Sequence, residues 1–290
     1  MPRNPAANAR SGGAPKPERK PRKPEFSPTR LRTYLSCRMM YRLEYFDKLG
    51  RFYHKARAGY AFGTSLHQTL QTFHEQGGAQ TVSSEELVKN LETGWVSAGY
   101  DSAEHEQQQR EAAQVILENY HAAMLDRPPV VRTFLTEKML KYDMGRFVLT
   151  GRIDRIDEHE DGSLEIVDYK SGRRSITEED VRNMLAMSVY QLLTKRLNPD
   201  RNVTATIHAL QTGASATVGL SDEELTELED ELRFLGGEIL DADFEAVNPE
   251  PLPNVCPWCD FLPLCERYWR QQRRNYRLEL GLDGTEQDGS

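Results

Sequence analysis

The segment 151–172 constrains the fold more than any other stretch of the chain, because it joins two strand-like runs through a turn and carries paired carboxylates. Apolar and polar residues alternate from Gly151 to Asp157, which is the two-residue period of a half-buried strand. The polar break at 158–163 contains Asp161-Gly162, a frequent turn pair, and a second apolar run follows it. The sequence therefore predicts a β-hairpin.

This hairpin brings charged groups together. Residues two apart share a face of a strand, so Asp168 and Lys170 project together while Tyr169 points to the other side. Asp154 approaches them from the preceding strand. Mg²⁺ takes oxygen ligands, usually one or two carboxylates with waters, and a neighbouring lysine can orient the water that a metal makes more acidic. The alternative is a solvated strand face with a surface ion pair, but the second carboxylate favours a metal site.

Composition sets the outer limits. A chain of 290 residues can bury one sizeable core. No apolar run approaches the roughly 20 residues that span a bilayer, and the N-terminus lacks an apolar signal segment, so we expect a cytoplasmic protein without a membrane partner. The net charge of −8 does not by itself indicate a nucleic-acid binder. Residues 1–24 form a predicted disordered basic tail, 25–275 the folded domain, and 276–290 an acidic disordered tail.

Capping signals and periodicity place the remaining elements. A helix is expected to begin at Ser27-Pro28-Thr29, with Ser27 or Thr29 as its N-cap, and another is expected from about 61 to 75. Two helices are expected within 83–124, one begins at Thr177 and continues through the apolar residues to 193, and one lies at 221–244. Further strands are predicted at 130–140, 147–156 and 203–210.

The chain has four cysteines, and three of them form a C-x₂-C-x₅-C cluster near the C-terminus. Disulfides are not expected in a cytosolic chain, and C-x₂-C is a spacing of metal ligands or redox pairs. Four thiolates can hold structural zinc or a [4Fe–4S] cluster, and the number of ligands does not decide between them. The four residues are Cys37, Cys256, Cys259 and Cys265.

Gly151-x-x-Asp154 followed by Asp168-Tyr169-Lys170-Ser171 resembles the core of the PD-(D/E)XK nucleases. The resemblance is to their RecB-like exonuclease branch, which includes the nuclease domains of RecB and AddB and CRISPR-associated exonucleases. Gly63-x-x-x-His67 matches the first motif of that branch, and the likeness covers roughly residues 26–270. It implies an α/β fold of the restriction-endonuclease type, with a central mixed β-sheet flanked by helices and a C-terminal iron–sulfur clasp.

The resemblance also implies residue roles. His67, Asp154 and Asp168, with the Tyr169 carbonyl, would hold Mg²⁺ or Mn²⁺, and Lys170 would position the attacking water. The four cysteines would bind a [4Fe–4S] cluster that ties the two ends of the domain together, with zinc as the alternative.

Two further positions belong to this comparison. Tyr190 stands at the Tyr of the family's Gln-x-x-x-Tyr motif, but Ala186 occupies the Gln position, which affects DNA positioning more than metal binding. Gln191 cannot replace that Gln, because neighbouring residues lie about 100° apart around a helix. An ordinary core role for Tyr190 stays open. Glu137 either supports the site or lies on the surface.

The function implied is a metal-dependent DNA nuclease, most simply an exonuclease acting on single-stranded or end-exposed DNA in repair or recombination. The sequence has no G-x-x-x-x-G-K-[ST] motif, so unwinding would come from a partner such as a helicase. One alternative is a catalytically weak DNA-binding or assembly subunit that keeps the fold and the cluster. The other is a zinc-stabilised interaction module.

Overall fold

A computed structural model describes residues 22–126 and 131–279, and within them the strands form one six-stranded mixed sheet. The predicted hairpin is present, with its turn at 160–163 and Gly162 at φ +82°. The strands are β1 (Glu25–Phe26), β2 (Val131–Asp143), β3 (Val148–His159), β4 (Leu164–Lys170), β5 (Val203–Ala209) and β6 (Ser215–Val218).

Strand β3 organises the sheet. One edge of β3 pairs with β2 in antiparallel register along most of its length. The other edge pairs first with β1, in parallel at 148–149, and then with β4, antiparallel at 155–158. Between these two partners, residues 150–154 have no ladder partner on that edge among the described residues. β4 continues into a parallel pair with β5, and β5 pairs antiparallel with β6.

Helices cover both faces of this sheet. The helices are α1 (Pro28–Ser36), α2 (Arg38–Tyr41), α3 (Gly50–Tyr53), α4 (Ala58–Glu75), α5 (Ser84–Gly94), α6 (Ala103–Asp126), α7 (Glu178–Asn183), α8 (Leu185–Leu197), α9 (Asp222–Asp241) and α10 (Leu262–Glu279). Apolar residues of α4, α5 and α6 pack with Val167 and Tyr169 of β4. Residues of α1, α8 and α9 form a second core with β3, and α7 and α8 a third with β3, β4 and β5. The expected mixed sheet flanked by helices is confirmed.

The capping signals mark the helix starts correctly. The Ser27 side chain accepts a hydrogen bond from the Arg30 N–H at the start of α1. Reciprocal capping boxes begin α5, α7 and α9, where a Ser or Thr side chain and an acidic side chain three residues later each accept a backbone N–H. These local interactions explain why the starts were readable from sequence alone.

One prediction needs correction, and two strands were not predicted. The helix expected from Thr177 is broken at Met184, which ends α7 and precedes α8. The short strands β1 and β6 were not predicted. At the two ends of the described chain, the Pro24 carbonyl accepts a hydrogen bond from the Val148 N–H, and α10 runs to Glu279. The rest of the two predicted tails, 1–21 and 280–290, lies outside the described residues.

Within those residues, no helix combines the length and the apolar character that crossing a bilayer requires.

Candidate active site

The site lies where β3 and β4 separate. Their pairing ends at Arg155 opposite Val167, and the next positions in the same register are Asp154 and Asp168. The Tyr169 backbone N–H donates to Asp154 Oδ2 over 3.0 Å instead of bonding to a backbone carbonyl of β3. The two strands diverge at this point, and the fork between them carries one carboxylate from each strand, Asp154 from β3 and Asp168 from β4.

Helix α4 brings His67 to this fork. Its Nδ1 lies 3.2 Å from Asp154 Oδ2, and its Nε2 lies 3.1 Å from the Tyr169 carbonyl oxygen. Burial lowers the pKa of His67, but the hydrogen bond to Asp154 and the charges of Asp154 and Asp168 outweigh burial, so the pKa stands above its ordinary value. Three of the predicted metal-binding groups, the His67 imidazole, the Asp154 carboxylate and the Tyr169 carbonyl, therefore lie next to one another.

Glu137 joins this group from β2. By the register of β2 and β3 it stands opposite Asp154, between the pairs Thr136–Arg155 and Lys138–Ile153. One ligand atom each from His67, Glu137 and Asp154 lies within 4.8 Å of the others, which makes them the one such group of metal-binding side chains in the described residues. Burial, together with the Asp154 charge, raises the pKa of Glu137.

Glu137 also has an unusual backbone. Its φ is +42°, in the left-handed region that side-chain-bearing residues rarely adopt. Such conformations persist where the surrounding structure enforces them, and they concentrate at functional sites. The sequence located Glu137 only as a supporting or surface residue, because a strand pattern gives no indication of a local reversal of φ.

Asp168 and Lys170 share a face of β4, as predicted, and their side chains form an ion pair. Asp168 is nearly buried, and this burial raises its pKa while the Lys170 charge opposes the rise. Asp168 is not part of the three-residue group of His67, Glu137 and Asp154. The predicted ligand side chains are thus divided: His67 and Asp154 contact each other, whereas Asp168 pairs with Lys170.

Helix α8 packs against β3 beside the fork and explains the motif glycine. A Cβ added at Gly151 would lie 2.8 Å from Leu193 Cδ1 and 2.9 Å from Tyr190 Cδ1. Tyr190 is partly buried against the core, and burial followed by the charges of Asp168 and Asp154 raises its pKa. The Tyr190 ring therefore packs on β3 as a core residue does, while the negative charges of Asp168 and Asp154 act on its hydroxyl group.

Gln191, the residue next to Tyr190, turns away from the site. It is 2 % exposed, and its Oε1 accepts a hydrogen bond from the Leu220 N–H over 3.0 Å, which holds the segment before α9. Ala186, at the position expected to carry Gln, lies in the first turn of α8. The structure agrees with the expectation that Gln191 does not substitute for the missing side chain.

A buried polar network lies behind the fork. The Arg155 guanidinium donates to the hydroxyls of Tyr169 and Tyr120 over 2.5 and 2.8 Å, and it pairs with Asp157 at 3.0 Å. His74 contacts the same two hydroxyls, and burial, followed by the Arg155 charge, lowers its pKa to about 2. The network links α4, α6, β3 and β4, so it ties together the elements that carry His67, Asp154 and Tyr169. Sequence analysis did not find it.

The four cysteines line one cavity between the N- and C-terminal parts of the domain, together with Met40 and Phe261 among others. Cys37 Sγ accepts a hydrogen bond from the Met40 N–H, and Cys256 Sγ accepts one from the Leu252 N–H, at 3.3 and 3.2 Å. Burial and the neighbouring cysteines raise the pKa of Cys265 to about 11. No three of the sulfurs lie within 4.8 Å of one another in this part of the chain.

The fold and the fork define an α/β domain with a carboxylate–histidine–lysine site at the diverging ends of two strands. The family described as the PD-(D/E)XK nuclease superfamily matches residues 25–266, and the chain belongs to it. Family membership supports nuclease as the class of enzyme. No curated protein matches this chain in sequence.

Two solved structures are similar to the chain. One is a candidate exonuclease from Eubacterium rectale, with 11 % identity and a TM-score of 0.49, over 82 % of this chain and 86 % of that one. The other is a protein titled SSO0001, with 12 % identity and a TM-score of 0.33, over 79 % of this chain and 93 % of that one.

Proposed function

We propose that the chain is a metal-dependent DNA nuclease of the RecB-like branch, an exonuclease that hydrolyses single-stranded or end-exposed DNA in repair or recombination. The observation that carries this proposal is the fork itself: His67, Asp154 and the Tyr169 carbonyl meet within hydrogen-bonding distance, with the Asp168–Lys170 pair on the adjacent strand. Unwinding of duplex DNA would require a separate protein, since the sequence has no phosphate-binding helicase motif.

The donor set at the fork suits a hard divalent cation. Carboxylate and carbonyl oxygens with one imidazole nitrogen are ligands that Mg²⁺ and Mn²⁺ accept. His67, Asp154, Asp168 and the Tyr169 carbonyl would hold the ion, and Glu137 is placed to take part with His67 and Asp154. When bound, such an ion supplies charge stabilisation at the scissile phosphate and lowers the pKa of water.

The protein's own groups complete the chemistry. The Lys170 ammonium can donate a hydrogen bond to the attacking water and offset negative charge that develops on the phosphate. Asp168 holds that ammonium in place through their ion pair. The Tyr190 hydroxyl is protonated at neutral pH, as that of any tyrosine with an ordinary or raised pKa is, so it can donate to a phosphate oxygen of the substrate. Attack forms a bond between the water oxygen and phosphorus and breaks the bond from phosphorus to the 3′- or 5′-oxygen, and the proton lost by the water balances the proton that the departing oxygen takes up from solvent.

Digestion of end-labelled single-stranded DNA tests the proposal. Protein purified anaerobically is incubated with 5′- and 3′-labelled oligonucleotides and Mn²⁺, beside Lys170→Ala and Asp168→Ala variants. We expect ladders from the wild type alone, with the label pattern giving polarity, and loss of cleavage in both variants without loss of folding. Full metal-dependent activity in either variant would contradict the assigned roles.

A second candidate is a catalytically weak DNA-binding or assembly subunit. Ala186 at the Gln position favours it, because α8 then lacks one polar group next to Tyr190. The intact set of Asp154, Asp168 and Lys170 favours the nuclease. Folded, cofactor-loaded protein that binds DNA yet leaves labelled strands intact would support the second candidate.

We further propose that Cys37, Cys256, Cys259 and Cys265 hold a [4Fe–4S] cluster with an architectural role. All four line one cavity, although they come from opposite ends of the domain. Four thiolates can hold either zinc or a [4Fe–4S] cluster, and the resemblance to the RecB-like branch is what favours the cluster. Metal binding to such a site contributes to folding.

Metal analysis separates the two cofactors. After anaerobic purification we expect about four iron atoms and about four inorganic sulfides per chain, as the composition of a [4Fe–4S] cluster requires. The protein should also show the visible absorption spectrum that is typical of iron–sulfur proteins. Cys37→Ser and Cys259→Ser should each lose the colour and lower the melting temperature. Stoichiometric zinc without sulfide would replace this proposal with the zinc-stabilised module.

A further inference from the structure

The surface before and at the start of α4 carries an excess of positive charge. Residues 48–74 contain four Lys or Arg and no Asp or Glu, whereas the whole chain has 45 acidic and 37 basic residues. Much of 51–60 is exposed, including Arg51, Lys55 and Arg57. A local excess of cations in an acidic protein indicates a polyanionic partner.

Exposed aromatic rings accompany these cations. Trp258 is 77 % exposed and Tyr60 is 68 % exposed, the first on the turn between Cys256 and Cys259 and the second on α4. The Arg57 guanidinium lies between them: it donates to the Trp258 carbonyl over 3.3 Å, and its Cζ stands 5.8 Å from the centre of the Tyr60 ring.

Asp260 fixes this arrangement. Its Oδ1 accepts a hydrogen bond from Arg57 over 2.6 Å, and its Oδ2 accepts one from the Lys55 N–H over 3.4 Å. Arg57 is therefore held in position, while the remaining charge of the segment comes from Lys48, Arg51 and Lys55. Two large, mostly exposed rings thus lie beside a guanidinium held in place, and exposed aromatic faces of this kind favour binding.

The surface is aligned with the candidate active site. Tyr60 and His67 are seven residues apart on α4, which places them on nearly the same side of the helix and about 10 Å apart along its axis. Gly63 lies between them, where a Cβ would stand 3.1 Å from Ser171 Oγ in the loop that follows Lys170. A nucleic-acid strand that enters the fork between β3 and β4 can thus continue over the N-terminal half of α4 towards Trp258.

We propose that Trp258, Arg57 and Tyr60 form a stacking surface for unpaired bases of single-stranded nucleic acid that leads to the fork. This inference rests on the proposed nuclease function and adds the residues that hold the strand. Bases stack on aromatic faces without regard to sequence, and cations beside the rings follow the phosphates. Bases in a duplex are already stacked on one another, so the surface discriminates in favour of single strands.

Binding measured without cleavage tests the surface. Full-length Lys170→Ala protein is titrated into a fluorescein-labelled oligothymidylate in EDTA, alone and with Trp258→Ala, Tyr60→Ala or both. Each substitution should weaken binding by roughly 5- to 150-fold, the range for loss of one stacked base. Trp258→Phe should retain most of the affinity. Affinity for a blunt duplex should not change.

Phe234→Ala provides the matched control, because Phe234 is a comparable exposed ring, 73 % accessible, on α9. Melting temperatures show that each variant is folded. In the active protein, Trp258→Ala should raise KM for single strands and leave kcat close to the wild-type value.

The outcomes separate the two proposals. A loss of binding for Trp258→Ala and Tyr60→Ala no greater than for Phe234→Ala would overturn the stacking surface, even if the protein cleaves DNA. Selective loss of single-strand binding in a protein that never cleaves would uphold the surface and reject the nuclease.

Discussion

Asp154 Oδ2 accepts a hydrogen bond from the Tyr169 backbone N–H over 3.0 Å, at the point where β3 and β4 stop pairing. The carboxylate therefore has a structural task as well as a place among the candidate ligands. It satisfies a backbone donor that would otherwise be left at the fork without a partner, and an unsatisfied buried donor costs about 1 to 3 kcal/mol.

These two tasks can be separated by the choice of substitution at Asp154. Asp154→Asn keeps an oxygen that can accept from Tyr169 but removes the charge, so we expect loss of cleavage and of Mn²⁺ affinity with little change in the free energy of unfolding. Asp154→Ala removes both, and should lower that free energy by about 1 to 3 kcal/mol. Urea unfolding and Mn²⁺ titration measure the two effects. Equal stabilities for the two variants would argue against the structural task.

Gly151 should tolerate no side chain. A Cβ there would meet Leu193 and Tyr190 at 2.8 to 2.9 Å, so Gly151→Ala forces β3 and α8 apart and should lower the free energy of unfolding by about 1 to 3 kcal/mol. Activity should fall further than stability, because the displacement moves Asp154.

Gly59→Ala is the control. Gly59 lies in α4 with nothing within 4 Å of an added Cβ, and alanine there should raise stability by up to about 1 kcal/mol. Thermal or urea unfolding of both variants checks the contrast. A Gly151→Ala protein as stable and active as wild type would show that α8 can move away freely.

The sequence sufficed for features with a local cause. The hairpin, the cap at Ser27 and the shared face of Asp168 and Lys170 follow from turn chemistry, capping and the two-residue strand period, and each is present. The PD-(D/E)XK motifs led to the superfamily that the family match then established.

Features that depend on long-range contacts were not predictable in this way. The strands β1 and β6 have two and four residues, too few for a periodic pattern, and they exist because β3 and β5 offer edges. The approach of Glu137 to Asp154 depends on strand register together with a positive φ, and no single-sequence pattern encodes either. The break at Met184, where the backbone is extended at φ −89° and ψ 101°, likewise has no side-chain cap that the sequence could signal.

The buried pair of Arg155 and Asp157 supports the site from behind. Both side chains are under 10 % exposed and lie 3.0 Å apart, so Arg155→Met leaves a buried carboxylate without its cation and should lower the free energy of unfolding by about 3 to 5 kcal/mol. Adding Asp157→Asn removes the stranded charge and should restore a large part of the loss. A double-mutant cycle by urea unfolding measures the coupling. Losses that simply add would show that the two residues do not interact energetically.

Glu137 allows a test of backbone strain, since its φ is +42°. At an ordinary strand position glycine is less stable than alanine by about 0.5 to 1 kcal/mol. In the left-handed region the order reverses, because glycine has no Cβ penalty there. We therefore expect Glu137→Gly to be more stable than Glu137→Ala by about 1 kcal/mol, while both lose Mn²⁺ affinity to the same extent because both lack the carboxylate. Unfolding curves and Mn²⁺ titrations of the two variants check this. If alanine proved the more stable replacement, Glu137 would hold an unstrained conformation in solution, and its carboxylate would not be directed at His67 and Asp154 by the backbone.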